Sequence, residues 1–315
     1  MLAEVSDGVG VITLNRPEAK NAVDLATTQA LAAVVDEFDA RDDVAVLVLT
    51  GAGGVFCAGM DLKAFSRGER PSLPGRGFAG LTEAPPAKPL IAAVEGWALA
   101  GGFELVLACD LVVASREARF GIPEVKRSLV AAGGGVLRLP KTLPYQRAME
   151  LALTGDPMGA EEAHRFGLVN QLTEPGGALA GARELAARIA VNGPLAIKAT
   201  KQLVAGAVRW TDRDLLDHQA TVVDAVFTSA DAQEGARAFA EKRPRSGRAS
   251  SRRVTAERGQ RPGAGRAELS LGGLSTGSTC AARLSGTLRR CVHPVVRPRW
   301  SAGGSGAATS SHGGC

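Results

Sequence analysis

P-L-I-A-A-V-E-G-W-A-L-A-G-G-F-E-L, Pro89 to Leu105, passes from a short apolar run through a glycine-bearing turn into a second apolar segment. The first part, Pro89–Val94, is β-rich and bounded, as a buried strand is. The second continues as F-E-L-V-L-A-C-D-L, a helix with Glu104 in its first turn. The whole apolar stretch from Pro89 to Ala114 is interrupted by Glu95, Glu104 and Asp110. A membrane span needs about 20 residues largely free of charge, so this is a strand–turn–helix. The same grammar stands upstream in V-L-V-L-T-G-A-G-G-V-F-C-A-G-M-D-L, Val46 to Leu62, where Gly59 marks the turn.

Outward from these two units, Val9–Leu14, Val44–Thr50 and Leu111–Ala114 read as further strands, the second buried on both faces. Leu25, Leu31, Val34, Val35 and Phe38 fall mainly at helical spacing, with Asp24 placed to cap that helix. Strands alternating with helices predict an α/β class. From about Gln146 the pattern turns helical, with segments at Ala148–Leu153, Ala160–Phe166, Gly181–Val191, Leu195–Val208, Asp212–Phe227 and Ala230–Lys242. The expected architecture is an α/β core with a helical C-terminal layer, and no solenoid-type repeat is evident.

Charge divides the chain at about residue 243. Of 315 residues, 37 are Lys or Arg and 32 are Asp or Glu, a formal charge of +5 that invites a nucleic-acid reading. Residues 1–243 carry −5, however, and residues 244–315 carry +10, with 12 Arg, 13 Gly and 11 Ser filling half of that segment. So few large apolar side chains cannot offset the entropy of ordering it, so 244–315 is expected to be a disordered basic tail. All nine Phe lie in 1–243, the globular domain. The N-terminus has neither a positive n-region nor an apolar h-region, so no signal peptide is expected. Two cysteines in that domain, Cys57 and Cys109, make no disulfide framework, and a reducing cytoplasm is the simplest setting.

Chemistry enters at the two turns. Gly59 and Gly101–Gly102 allow tight turns and leave N–H groups unshielded by a Cβ. A helix N-terminus adds unpaired N–H groups and a partial positive charge. Together the two turns can aim two N–H groups at one oxygen that becomes negative during reaction, an oxyanion hole. The plainer alternative is a pair of ordinary strand-to-helix turns with glycine for close packing. A nucleotide cradle is weaker, because neither turn fits G-x-G-x-x-G or the Walker pattern. Glu104 reads equally as a structural charge at a helix start, and Glu124, in R-F-G-I-P-E-V-K, as a solvent-facing one. Their interest lies in the glycines beside Glu104.

These residues together resemble the enoyl-CoA hydratase/isomerase (crotonase) family. The resemblance rests on L-N-R-P-E-A-K-N-A-V (Leu14–Val23), F-C-A-G-M-D-L (Phe56–Leu62), the Pro89–Leu105 stretch and A-C-D-L-V-V-A-S (Ala108–Ser115). It continues in F-G-I-P-E-V-K (Phe120–Lys126), G-G-V-L-R-L-P (Gly134–Pro140) and the A-x-x-A-x-x-F-G-L-V-N pattern around Ala160–Asn170, and covers about residues 5–243. It implies a crotonase (ClpP-like) fold of repeated ββα units, with a helical trimerisation layer from about residue 190. It implies oxyanion donors at the backbone N–H groups of Met60 and Gly101, and hydratase carboxylates at Glu104 and Glu124. Relatives that only isomerise double bonds commonly keep just the second acid, so retention of both favours hydration. The CoA thioester would be held by Lys20, Ala22, Ala58, Met60, Asp61, Leu62, Lys63 and Gly101, although Lys20 also reads as a solvated loop lysine. Glu104 would hold and activate water and Glu124 would transfer the C2 proton. No metal and no separate cofactor is implied, since coenzyme A is part of the substrate; homotrimers or hexamers are.

Other features carry less. His164 and His218 lack a nucleophile partner at a recognisable spacing, and Cys280, Cys291 and His293 do not form a strong zinc spacing. Trp97 reads as packing its turn or lining an acyl pocket, whose shape depends on the loop around Ser66–Leu81. The G-G-V-L-R-L-P-K stretch leans toward the carnitinyl-CoA dehydratase branch of the family. The tail reads as a frame-shifted extension or, alternatively, as a basic arm for RNA or another polyanion, which would make this a binding protein of a different class.

Overall fold

The computed structural model describes residues 1–207 and 212–245. The chain opens with β1 (Leu2–Ser6) and β2 (Val9–Leu14), then α1 (Leu25–Ala40), β3 (Val46–Gly51), α2 (Leu62–Ser66), β4 (Ser72–Leu73) and β5 (Gly77–Phe78). Next come β6 (Leu90–Val94), β7 (Trp97–Leu99), α3 (Gly101–Ala108), β8 (Leu111–Ser115), β9 (Arg119–Gly121), a 3-10 helix over Pro123–Arg127, α4 (Gly135–Thr142) and α5 (Tyr145–Thr154). β10 (Met158–Gly159), α6 (Ala160–Arg165), β11 (Gln171–Thr173), α7 (Ala178–Ala190), α8 (Pro194–Ala207), α9 (Asp212–Phe227) and α10 (Ala230–Ala240) follow.

A six-stranded sheet in the order β1-β2-β3-β6-β8-β11 forms the core, parallel except for the β1–β2 hairpin. Alternate residues serve opposite faces of each strand. Val9, Val11, Val46, Val48, Ile91, Ala93 and Val113 meet Ala178, Ala182 and Ala186 of α7 on one side. Ile12, Leu14, Leu47, Leu49, Ala92 and Val94 join Leu31, Val35 and Phe38 of α1 and Phe103 and Val106 of α3 in the larger core. Coverage on both faces is what a parallel sheet requires, and it explains the near-continuous apolar strands. Asp24 caps α1, its carboxylate accepting from Thr27 N at 2.7 Å.

A second, three-stranded sheet in the order β10-β9-β7 holds the ββα units together. β6, β7 and α3 make one unit; β8, β9 and the 3-10 helix repeat the pattern. Each unit contributes one strand to each sheet. Because β7 and β9 run parallel with Leu99 opposite Gly121, whatever follows β7 lies beside whatever follows β9. Gly101–Glu104 and Pro123–Glu124 are thereby brought together from distant parts of the sequence.

The sequence expectations differ from this in places. The strand expected at Val44–Thr50 runs Val46–Gly51, because the Val44 side of the turn leads in from α1 before β2 can pair. Strand β1 was not expected: its residues are half-exposed or exposed, so burial patterning is weak. Its signal is Asp7-Gly8, both at positive φ (52° and 79°), the two-residue turn that suits a hairpin. Helix α4 was also not expected, since glycines precede it and Pro140 lies inside it. The last helix ends at Ala240 instead of Lys242, and α7 starts three residues before Gly181. Val208, His293, the tail cysteines and all but Pro244 and Arg245 of the expected tail lie outside the described residues. Among the described residues no helix is long and apolar enough to cross a membrane.

Candidate active site

The Lys20–Asn21 turn, the Ala58–Met60 turn and the start of α3 are stacked by backbone bonds. Ala58 N donates to Lys20 O, and Val23 N donates to Gly59 O while Asp61 N donates to Val23 O. This parallel bridge uses the groups on either side of Met60, so the N–H of Met60 itself faces away from Val23. Gly101 is the first residue of α3, where N–H groups have no partner within the helix. The two turns touch: a Cβ on Gly59 would lie 2.7 Å from Ala100 Cβ and 2.9 Å from Gly101 N. Ala100, just before Gly101, sits at φ 51° and ψ −128°, a conformation strained for any residue with a side chain.

Asn21 holds this arrangement from below. It is 1% exposed and left-handed (φ 55°), with its Oδ1 accepting from Arg16 N at 2.9 Å. Its Nδ2 donates to Ala52 O at 2.9 Å and Val55 O at 2.7 Å. Asn21→Ala removes the side-chain partner of three part-buried backbone groups and puts alanine in a left-handed position, so urea titration is expected to show a loss of about 2–4 kcal/mol. A loss below about 0.5 kcal/mol would contradict this account.

Met60 and Gly101 line a cavity of about 610 Å³. Of the residues expected to hold the thioester, Lys20, Ala58 and Leu62 line it too, and so do Glu104, Glu124 and Trp97. Phe65 of α2 lines it as well, and Pro71, Ser72 and Phe78 bring in the 66–81 loop region. Ala22, Asp61 and Lys63 are not among the lining residues. Ala22 O accepts from the Arg16 guanidinium at 2.6 Å. Asp61 caps α2, accepting from Lys63 N at 3.0 Å and Ala64 N at 3.1 Å, and pairs with Arg16 at 3.1 Å. Burial pushes its carboxyl up, but those N–H groups and the Arg16 charge together hold it below the usual range. Lys63 is exposed.

The two glutamates have different surroundings. Glu104 is 3% exposed, and its Oε1 accepts from Gly135 N at 2.8 Å. Burial raises its carboxyl, opposed by the N–H groups of Gly135 and Gly133 and by the Arg138 charge. Arg138 also fastens the glycine loop, donating to Gly133 O at 3.1 Å and to Thr82 O. A Cβ on Gly133 would come within 2.7 Å of Glu104 Oε2, so this loop is shaped to the carboxylate. Gly133, Gly135 and Arg138 are not singled out by the sequence; the signal is the G-G-V-L-R-L-P stretch (Gly134–Pro140) with Gly133 just before it, read there only as a mark of the family. Glu124 is half-buried, and its Oε2 is enclosed without a protein partner. Burial pushes its carboxyl up to about 7, aided by the nearby Glu104 charge and opposed by its own backbone N–H and by Arg127.

A carboxyl raised in this way binds more protons folded than unfolded. Its favourable contribution is complete below the unfolded value of 4.5 and is lost as pH rises toward about 7. Glu124→Gln removes that loss. After discounting for the part of the carboxyl that water reaches, a gain of about 1–2 kcal/mol is expected near about pH 8 and none near about pH 4. Thermal melts of the two proteins at both pH values check this; an equal shift at both would refute it.

Among the described residues no group of three or more His, Cys, Asp and Glu side chains could hold a metal ion. His164 makes a 2.8 Å bond between its Nδ1 and Val169 O, a structural contact.

Known proteins match this chain along nearly the whole described region. The enoyl-CoA hydratase/isomerase family profile matches residues 4–246. Carnitinyl-CoA dehydratase of Escherichia coli strain K12 is 45% identical over 245 residues, spanning 74% of this chain and 92% of the relative. Enoyl-CoA hydratase EchA19 of Mycobacterium tuberculosis is 41% identical over 244 residues, spanning 74% and 90%. Among solved structures, enoyl-CoA hydratase EchA1 from Mycobacterium marinum superposes with a TM-score of 0.76 at 58% identity, covering 78% of this chain and 97% of that one.

Proposed function

The chain belongs to the enoyl-CoA hydratase/isomerase family, and from that premise we propose that it is a hydratase, adding water across the 2,3 double bond of a 2-enoyl-CoA thioester. The observation that carries this is that two carboxyls in unlike surroundings, Glu104 and Glu124, line one cavity with the turn residues Met60 and Gly101. The N–H groups of Met60 and Gly101 receive the thioester oxygen and stabilise the negative charge that develops there, an effect worth several kcal/mol in total, about 3 for each donor. Glu104, whose carboxylate accepts from the Gly135 N–H, takes a proton from the water whose oxygen attacks C3. Glu124, protonated up to about pH 7, delivers a proton to C2. One proton enters each carboxyl–substrate exchange and one leaves, so a final transfer from Glu104 to Glu124 through solvent restores the starting state. The pair shares its titration, and the division of roles belongs to the two together.

Run backwards, the same steps dehydrate a 3-hydroxyacyl-CoA, which is the second reading; the relatives named carnitinyl-CoA dehydratase favour it. Isomerisation needs only one acid and leaves Glu104 without a task. The steps require neither a metal nor a redox cofactor. Assembly as homotrimers or hexamers in the cytoplasm fits this reading, and the exposed Val204, Leu216, Phe227 and Phe239 of α8–α10 support an assembly that covers them. Loss of enoyl-thioester absorbance with a panel of 2-enoyl-CoAs tests the proposal. Absence of turnover on every one would reject it; RNA binding lost on deleting 244–315 would then favour the polyanion reading.

A further inference from the structure

Glu124 and Arg127 stand on one face of the Pro123–Arg127 helix, because a 3-10 helix has three residues per turn and side chains at i and i+3 eclipse. Both line the cavity. Arg127 is near enough to hold the Glu124 carboxyl partly down, yet among the described residues no carboxylate lies within ion-pairing distance of its guanidinium. The remaining acid of the cavity, Glu104, is taken up by the Gly135 N–H. A second cation of the cavity, Arg70, lies 4.7 Å from the ring centroid of Phe65, also without a carboxylate partner. The same cavity is lined by the apolar Pro123, Leu129, Val130 and Trp97. Arg127 is exposed at this wall of the cavity, and a guanidinium there can make bidentate bonds to a carboxylate and repels a cation.

Glu124 serves C2 in the proposed reaction, and this inference rests on that reading. The acyl carbons beyond C3 must then run past the neighbouring turn of the 3-10 helix. We infer that the preferred substrate is a 2-enoyl-CoA whose acyl chain ends in a carboxylate, recognised by Arg127, and that an acyl chain bearing a quaternary ammonium is rejected. Arg127 is thus a specificity-determining residue that separates this chain from the carnitinyl branch suggested by its G-G-V-L-R-L-P-K stretch, since a carnitinyl group ends in a trimethylammonium.

Glutaconyl-CoA, crotonyl-CoA and crotonobetainyl-CoA carry a carboxylate, a methyl and a trimethylammonium at corresponding positions. For the wild-type chain, kcat/KM is expected to be at least about tenfold higher with glutaconyl-CoA than with crotonyl-CoA, and lowest with crotonobetainyl-CoA. Arg127→Leu is expected to bring the glutaconyl-to-crotonyl ratio to about one, and Arg127→Lys to keep part of it. A wild-type ratio near one overturns the inference. So does a uniform loss with all three substrates in Arg127→Leu, which would assign the guanidinium to the CoA portion they share. Calorimetric titration with the unreactive glutaryl-CoA and butyryl-CoA separates this from the reaction itself. A wild-type preference for glutaryl-CoA without turnover of any enoyl-CoA rejects the hydratase reading and keeps the inference; equal affinities with turnover do the reverse.

Discussion

Glu104→Gln and Glu124→Gln are each expected to lower kcat for hydration by about a hundred- to ten-thousandfold, with a smaller change in KM. In the proposed reaction the carboxyls act on opposite ends of one water addition, so removing either leaves the other without a complementary partner. The double variant is therefore expected to fall little further than the worse single one. Direction of titration sharpens the test. Wild-type kcat/KM should fall as pH rises through about 7, where Glu124 loses the proton it must deliver. In the residual activity of Glu104→Gln that limb moves to lower pH, because the Glu104 charge is one of the causes holding the Glu124 carboxyl up. Full activity in both single variants, or an unmoved limb, would remove the pair from the chemistry.

Gly102→Ala is the second large effect expected. A Cβ there would lie 2.2 Å from Cys57 O and 2.8 Å from Cys57 C, and both are backbone atoms that no rotamer change can move aside. The Cys57–Gly59 turn would have to retreat from α3, which separates the Met60 and Gly101 N–H groups. A stability loss of about 3 kcal/mol or more, with kcat down by about a hundredfold in whatever folds, is expected. Gly235→Ala, in the middle of α10 with nothing within 4 Å of the added methyl, is the control. It should stabilise by about 0.5–1 kcal/mol. Denaturant melts and turnover of the same preparations decide; a Gly102→Ala protein as stable and active as the control would refute the close approach.

Much of the scaffold is written locally. β2 and α9 have the expected bounds, and Asp24 caps α1 as its position suggested. Local signals suffice there because strand burial and helix capping depend on neighbours in the chain. The site is different. Glu104 and Glu124 meet only because β7 and β9 pair in parallel, and β7 is three residues long, too short to stand out in a sequence rich in alanine and glycine. The task of Gly133 and Gly135 becomes visible only against the Glu104 carboxylate, 31 residues from Gly135. Asp61 shows the opposite difficulty: a charged residue beside Met60, a residue proposed as an oxyanion donor, invites a substrate role, yet its carboxylate is engaged by α2 and Arg16.

The order of the main sheet, β1-β2-β3-β6-β8-β11, is also the order of its strands along the chain. A polypeptide leaving the ribosome can therefore add each strand to the edge left by the one before, without inserting between partners already made. At every stage the growing edge, opposite the fixed outer edge of β1, is exposed to pairing with other nascent chains. That hazard ends at β11, a stub of three residues that offers little for another chain to join. Growth by accretion and a short terminal strand thus make the assembly of this sheet vectorial and self-limiting.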